Sequence, residues 1–210
     1  MDRGMVLFLG CFLTFTSSWL GLVFAPLVKV NQMQPVVVDE TTNDVYPKPM
    51  SGAVADGFAV YKANGCLYCH SQQIRDESFG NNTDILRGWG DRRTYPRDYM
   101  FDRPIMLGTM RTGPDLSNIG KRLPDPAWHH RHLYRPVSTS PGSIMPPFSF
   151  LYETRKIIGQ PSVDALNFGE EQSRYVAPGF EIVPTSQAKS LVEFLLWLNR
   201  STVELPESKQ

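Results

Sequence analysis

The 210-residue chain is short of cysteine, carries no net charge and has no run of basic residues. Its three cysteines cannot build the disulfide framework of a small secreted scaffold. Its 21 Lys and Arg residues are balanced by 21 Asp and Glu residues, so no positive field directs the chain to nucleic acid, and we expect no nucleic-acid partner. The sequence also lacks an internal repeat. Its length allows one domain, or one domain with an anchor.

The longest apolar segment is Met5–Val28, which contains no charged residue. As a helix it would be about 36 Å long, enough to cross a hydrocarbon core of about 30 Å. A cleaved signal peptide is the alternative, but Arg3 is the one basic residue ahead of the segment, and Val23-Phe24-Ala25 is a poor cleavage site. We therefore expect a cytoplasmic N-terminus over 1–4 and a transmembrane anchor over 5–28.

The remaining chain is divided by its composition. Residues 29–51 have three prolines and a polar middle, which predicts a linker along the surface. Residues 52–200 are expected to form one domain, and 201–210 a C-terminal tail. Apolar residues at helical spacing predict amphipathic helices over Val54–Ala63 and from Thr185 or Ser186 to Leu198, and we expect these two to pack on each other.

Two long segments of this domain, 71–110 and 149–185, show no sustained periodicity. Both are long for structureless loops in a compact domain, which favours functional insertions. A further short helix is expected over Pro124–Leu133. The fold class is therefore mainly α, with one N-terminal transmembrane helix and irregular insertions.

Directly after the first amphipathic helix stands Cys66-Leu67-Tyr68-Cys69-His70, the attachment signature of a c-type haem. Each thiol can add its S–H across one vinyl group of the porphyrin, and His70 then faces the iron from the proximal side. We expect one covalent haem c as the cofactor. Two other interpretations exist. A thioredoxin-like redox pair would need a βαβ pattern, which is absent, and a Cys2His2 zinc site would draw on the downstream histidines. Those histidines are His129, His130 and His132.

The second axial ligand is expected to be Met145, because a thioether favours ferrous iron and Pro146 and Pro147 stiffen its loop. Met106, Met110 and a histidine are the alternatives.

The proximal side is expected to include the segment Arg111-Thr112-Gly113-Pro114-Asp115-Leu116. The Pro114 carbonyl can accept a hydrogen bond from Nδ1 of His70, and Leu116 can pack beside the haem. The alternative is an ordinary Gly-Pro turn.

Five motifs occur in a characteristic order, and the stretch from about Gly57 to Leu151 that contains them resembles the membrane-anchored mono-haem subunit (subunit II) of cbb-type, C-family haem–copper cytochrome c oxidases. They are Gly65–Gln72 with Ile74-Arg75; Tyr99 through Asp102-Arg103-Pro104; Arg111–Leu116 with Ile119–Arg122; Trp128-His129 with His132-Leu133 and Arg135-Pro136; and Ser143–Pro146.

The resemblance implies a single transmembrane helix and a class I cytochrome c domain on the outer side of the membrane. It implies His70 and Met145 as the axial ligands. It also implies that a set of basic and aromatic residues faces the haem propionates or a neighbouring subunit, namely Arg75, Arg111, Arg135, Trp128 and His129.

The function implied is electron transfer in a respiratory terminal oxidase of the bacterial cytoplasmic membrane. The chain would accept electrons from another cytochrome c subunit or a soluble cytochrome c and relay them to the haem–copper catalytic subunit. Membrane lipid would surround the anchor, the haem domain would lie on the periplasmic side, and the chain itself would make or break no bond in a substrate. The alternatives are a mono-haem subunit of another respiratory complex such as a nitric oxide reductase, a catalytic or gas-sensing haem with an open distal position, and a zinc-stabilised structural subunit.

Overall fold

The computed structural model describes residues 3–79 and 83–209. Two residues of the predicted N-terminal segment, residues 80–82 of the insertion 71–110 and the last residue of the predicted tail lie outside the described residues. The chain divides into two compact units. The first comprises Met1–Lys48 and Tyr95–Phe101, and the second comprises Pro49–Thr94 and Asp102–Gln210.

The first unit begins with a long apolar helix, α1, over Gly4–Asn31, with a mean hydropathy of 1.9 in its most apolar window. A π-helical turn at Leu20–Phe24 precedes Pro26, whose ring removes one backbone donor from the helix. No residue of α1 within this range is buried by the protein. The helix is long and apolar enough to cross a membrane, which agrees with the predicted single spanning helix.

A hairpin follows α1, in the segment predicted to be a linker. Strands β1 (Val36–Asp39) and β2 (Asp44–Tyr46) pair antiparallel, with Val37 opposite Val45. In the turn, Thr41 and Thr42 donate hydrogen bonds to the Asp39 carboxylate. The Thr41 hydroxyl contributes most to lowering the pKa of Asp39 to about 2. The sequence reading missed this hairpin, because a short polar turn between brief apolar runs looks like a linker.

Among the described residues, the second unit contains six α-helices, namely α2 (Gly52–Ala63), α3 (Thr83–Leu86), α4 (Ile119–Arg122), α5 (Pro126–Tyr134), α6 (Gln172–Tyr175) and α7 (Ser186–Trp197). Two of these helices, α2 and α7, form its centre. Helices α2 and α7 pack on each other as expected, with the Phe58 and Phe194 rings 5.5 Å apart. Gly57 permits this approach, because a β-carbon there would lie 1.8 Å from the Ser190 carbonyl oxygen.

The boundaries of α7 differ slightly from the prediction. The side chain of Thr185, not that of Ser186, accepts the capping hydrogen bond from the Ala188 amide. The helix ends at Trp197, and the buried Leu198 follows it.

The insertion 149–185 contains a two-stranded antiparallel sheet that the sequence does not predict. Strands β3 (Tyr152–Lys156) and β4 (Phe180–Pro184) pair antiparallel, with Thr154 opposite Ile182. Strand β4 is largely buried, whereas β3 is mostly exposed. Short 3₁₀ turns connect the other elements: Cys66–Tyr68, Pro96–Tyr99, Pro136–Ser138, Ser149–Leu151, Gly169–Glu171 and Pro206–Lys209.

The segment after α7 is bound into the second unit rather than extending as a free tail. Buried Arg200 donates to the Asp102 carboxylate at 2.6 Å. Asn118 donates to the Trp89 carbonyl at 2.9 Å and to the Ser201 hydroxyl at 2.8 Å. The insertion 71–110 is thereby tied to the C-terminal segment. Helices dominate the fold, so the predicted mainly α class is confirmed.

Candidate functional site

The Cys66–His70 motif is shaped by the end of helix α2. Gly65 adopts a left-handed conformation with φ of 67°, which ends the helix and turns the chain. A 3₁₀ turn over Cys66–Tyr68 follows, and the His70 amide donates to the Cys66 carbonyl at 3.0 Å. This compact turn directs both cysteines and His70 to the same side.

That side opens into a cavity of about 560 Å³ in the second unit. This volume lies within the range of protein sites for small molecules and cofactors. Cys66, Cys69, His70 and Met145 all line the cavity. Most of the remaining wall is apolar, including Leu116, Ile119, Leu123, Leu133, Ile144, Leu191 and Leu195. The residues expected to attach and ligate a haem are therefore brought together at one site.

The orientation of His70 is determined by its neighbours. Its Nδ1 lies 2.7 Å from the Pro114 carbonyl oxygen. Because a carbonyl only accepts, Nδ1 carries the proton and Nε2 keeps its lone pair for a metal. Burial lowers the pKa of His70, and the Pro114 carbonyl opposes that shift. The imidazole is thus kept neutral, the form that a metal binds.

The chain around His70 is held by backbone pairing with the segment 111–116. The Gly113 amide donates to the Cys69 carbonyl at 2.9 Å, and the Leu116 amide donates to the Ser71 carbonyl at 2.8 Å. The Ser71 hydroxyl also donates to the Asp115 carboxylate at 2.6 Å. The two segments act as one rigid wall of the cavity.

The two cysteines of the motif are free thiols. Burial raises the pKa of the Cys66 thiol to about 11, so it is neutral at physiological pH. Cys69 is exposed.

Arg111 does not line the cavity, although the resemblance implies that it faces the haem propionates or a neighbouring subunit. Its guanidinium binds the buried Asp84 carboxylate, with Nη1 2.5 Å from Oδ1, and it donates to the Ser71 hydroxyl at 2.8 Å. Arg75 binds the same carboxylate. Arg111 is not among the described residues that line the cavity, so it supports the wall from behind. Arg135 lines a separate cavity beside Tyr134 and Arg174.

Arg122 and His132 also line the cavity. Arg122 is not among the predicted site residues, and His132 is predicted only as an alternative zinc or distal ligand. His132 stacks on Trp128, with ring centroids 4.6 Å apart, and its Nδ1 lies 2.6 Å from the Thr139 hydroxyl. Burial lowers the pKa of His132 to about 4. The i, i+4 spacing of Trp128 and His132 on α5 is the signal that places them on one face.

The alternative distal ligands lie away from the cavity or are otherwise bonded. Met106 is buried in the apolar core, and Met110 is exposed. Among the described residues, Met145 is the one methionine that lines the cavity. His129 also lines the cavity, but its Nε2 lies 2.8 Å from the Leu123 carbonyl oxygen. Met145 is therefore the best-placed second ligand.

The alternative metal and redox sites find no support in the geometry. Nδ1 of His130 lies 3.1 Å from the Tyr152 hydroxyl. His129 and His132 are bonded to the Leu123 carbonyl and the Thr139 hydroxyl. Across residues 3–79 and 83–209, no group of three or more His, Cys, Asp or Glu side chains is arranged to hold a metal ion. Both sheets found there are two-stranded and antiparallel, unlike a thioredoxin fold.

The donor set and the cavity fit a c-type haem. They provide two thiols, a neutral imidazole, a thioether and apolar walls of suitable volume. Comparison with known proteins agrees. A family model described as "Cytochrome C oxidase, mono-heme subunit/FixO" matches residues 11–166, well over half of the chain. The matched range begins inside α1 and includes all four donor residues. No curated protein matches the chain.

Proposed function

Because the chain belongs to the FixO family of mono-haem cytochrome c oxidase subunits, we propose that Cys66, Cys69, His70 and Met145 hold one covalent haem c through which it relays electrons to the catalytic subunit. The family itself establishes an electron-transfer subunit with one haem. The observation that carries the proposal is the meeting of these four side chains in one cavity, with His70 oriented by the Pro114 carbonyl.

Each of the four residues has a distinct part. The Cys66 and Cys69 thiols would each hold the haem through one thioether bond, formed by addition of S–H across a vinyl group. His70 donates from Nδ1 to Pro114 and offers Nε2 as the proximal ligand. Met145 offers a soft thioether, which favours the reduced state and raises the potential. Pro146 stiffens the Met145 loop.

The haem iron, when bound, supplies one-electron redox chemistry. The chain's own residues keep that chemistry simple. His70 and Met145 would both hold the haem iron, which would leave no open position for oxygen or another substrate. Leu116, Leu133 and Leu195 would surround the bound haem with apolar side chains. One electron enters and one leaves, and the chain acts as a carrier within the oxidase.

The proposed setting is the bacterial cytoplasmic membrane. Helix α1 supports a single-pass anchor, since it carries no charge from Met5 to Val28 and exposes its apolar side chains. Thioether attachment takes place on the outer side of energy-transducing membranes, which favours a periplasmic haem domain. The proposed division is a cytoplasmic N-terminus at 1–4, an anchor at 5–28, a linker at 29–51, a haem domain at 52–200 and a C-terminal segment at 201–210.

The proposed partners follow from the relay. The haem–copper catalytic subunit would accept the electrons, and another cytochrome c subunit or a soluble cytochrome c would supply them. Lipid would surround α1.

The test is covalent haem attachment to the full chain, produced in a bacterium that matures c-type cytochromes. A haem-stained band should survive denaturing electrophoresis in the wild type and in Cys11→Ala, the matched control. The band should be lost in the Cys66→Ala, Cys69→Ala double variant. A wild-type chain without bonded haem would overturn the proposal.

Carbon monoxide separates a relay from a haem with an open distal site. The ferrous wild-type protein should not bind carbon monoxide at micromolar concentration, because Met145 occupies the distal position. Met145→Ala should bind it. Rapid binding by the wild type would favour the catalytic or gas-sensing alternative.

A further inference from the structure

Arg122, the last residue of α4, is a partly buried cation in the wall of the cavity. One Nη atom donates to the backbone carbonyl of Asp115. Its Nε is buried and has no hydrogen-bond partner among the described residues. No carboxylate lies within ion-pair distance of Arg122 in that part of the chain. Nε is therefore enclosed by the protein, and the Nη–H groups that Asp115 does not engage are the donors left for an occupant of the cavity.

A buried guanidinium without a carboxylate is costly, because it loses its hydration and stays charged. Burial accordingly lowers the pKa of Arg122, and Asp115 only partly offsets this. The cavity wall offers no compensation, since none of its described residues is Asp or Glu. A negatively charged group in the cavity would compensate the Arg122 charge.

The other basic groups do not compete for that role. The three histidines of the wall are already bonded, since Nδ1 of His70 donates to the Pro114 carbonyl, Nε2 of His129 lies 2.8 Å from the Leu123 carbonyl oxygen and Nδ1 of His132 lies 2.6 Å from the Thr139 hydroxyl. The arginines expected to face propionates are placed differently, since Arg75 and Arg111 share the Asp84 carboxylate. Among the described lining residues, Arg122 is the permanent positive charge.

We propose that Arg122 binds a propionate carboxylate of the haem through its free Nη–H groups. This inference rests on the proposed function, because it requires a haem in this cavity. A planar guanidinium with two parallel donors suits a carboxylate. An ionised propionate near the iron stabilises the ferric state, and the Arg122 charge offsets that effect. Arg122 is thus a positioning residue that holds the porphyrin and keeps the reduction potential high.

The test compares two neighbouring cations in the full-length haem-loaded chain. Arg122→Met removes the cavity charge. Lys121→Met is the matched control, because Lys121 is 55% exposed and pairs with Asp91 at 2.6 Å. Redox titration should show a lower midpoint potential for Arg122→Met and none of this shift for Lys121→Met. Resonance Raman spectra should show shifted propionate bending modes in Arg122→Met alone.

A third variant keeps the test decisive if Arg122→Met loads haem poorly. Arg122→Lys keeps the charge but lacks the planar guanidinium, so its propionate modes should shift while its potential stays closer to that of the wild type. If haem is attached normally and both Arg122 variants match Lys121→Met in potential and propionate modes, the role of Arg122 is overturned and the relay function stands. If the wild type carries no bonded haem, the proposed function itself fails.

Discussion

A β-carbon on Gly113 would lie 2.2 Å from Cε1 of His70 and 2.7 Å from its Nδ1. The imidazole cannot move aside freely, because Nδ1 is bonded to the carbonyl of Pro114, the residue that follows Gly113. Glycine is required here for close approach of the backbone to the ring, since even one methyl group would displace the proximal ligand.

Gly113→Ala should therefore disturb the proximal side of the haem. The overlap has to be relieved by moving His70 or the 111–116 segment, which costs about 1–3 kcal/mol of folding free energy. The midpoint potential and the axial-ligand absorption should change together with the melting temperature.

The control is Gly159→Ala. Gly159 has φ of +83° and no atom within 4 Å of a β-carbon. An alanine there costs about 1–2 kcal/mol through backbone strain alone. It should lower stability and leave the haem spectrum unchanged. A Gly113→Ala protein with wild-type spectrum and potential would contradict the close contact.

Met145→Ala should remove the near-infrared sulfur–iron band and lower the midpoint potential sharply, because the thioether that favours ferrous iron is lost. Met110→Ala is the matched control, since Met110 is 56% exposed and lies outside the described cavity wall. Absorption spectra and redox titrations of both variants decide the assignment. An unchanged band in Met145→Ala would remove this residue from the site.

The sequence was informative where the signal is local. The helical spacing of Val54, Phe58 and Tyr61 predicted α2, and the Cys66–His70 motif indicated the cavity at its end. Met145 was selected from eight methionines because prolines follow it, and the structure brings it to the same cavity as His70.

The sequence was uninformative where partners lie far apart along the chain. Arg111 was expected at the haem from its motif, but its partner Asp84 is 27 residues away and no periodicity relates the two. Strand β3 carries mostly exposed polar residues and forms only by pairing with β4. Arg122 could be recognised as a cavity residue only once α4 and the Asp115 backbone were in place.

Asp84→Asn should destabilise the fold at neutral pH. The Asp84 side chain is 2% exposed and binds both Arg75 and Arg111. Loss of its charge removes the carboxylate partner of Arg75 and the closer of the two carboxylates beside Arg111, which keeps Asp115 at 3.8 Å, and this costs about 1–3 kcal/mol. Asp91→Asn is the control, because its exposed pair with Lys121 contributes less than about 1 kcal/mol. Denaturant unfolding of the haem-loaded chains measures both.

The Asp84 carboxylate should also make the stability of the folded protein depend on pH. Burial alone would raise the pKa of Asp84, but hydrogen bonds from Arg75 and Arg111 outweigh it and lower the pKa below its usual value. A carboxyl with a lowered pKa in the folded state stabilises the protein above the unfolded pKa of 3.8 and loses that contribution as the pH falls through the folded value. Wild-type stability should fall below about pH 4, and the corresponding slope should be smaller in Asp84→Asn.

The buried pair of Arg200 and Asp102 should respond to pH in the opposite direction. Their side chains are 2% and 1% exposed, and Arg200 Nη2 lies 2.6 Å from Asp102 Oδ2. Burial raises the pKa of Asp102, and Arg200 opposes that shift. Arg200→Met leaves the carboxylate buried without this cation, which costs about 3–5 kcal/mol at neutral pH.

In Arg200→Met the pKa of Asp102 should rise further, so the folded state gains stability from proton uptake as the pH falls towards the ordinary carboxyl value. The stability deficit relative to wild type should therefore be smaller at pH 5 than at pH 8, as measured by denaturant unfolding. The double variant Arg200→Met, Asp102→Leu removes both charges and should recover part of the loss at pH 8. A deficit that is independent of pH, or a double variant no more stable than Arg200→Met, would show that the buried charge of Asp102 is not the cause.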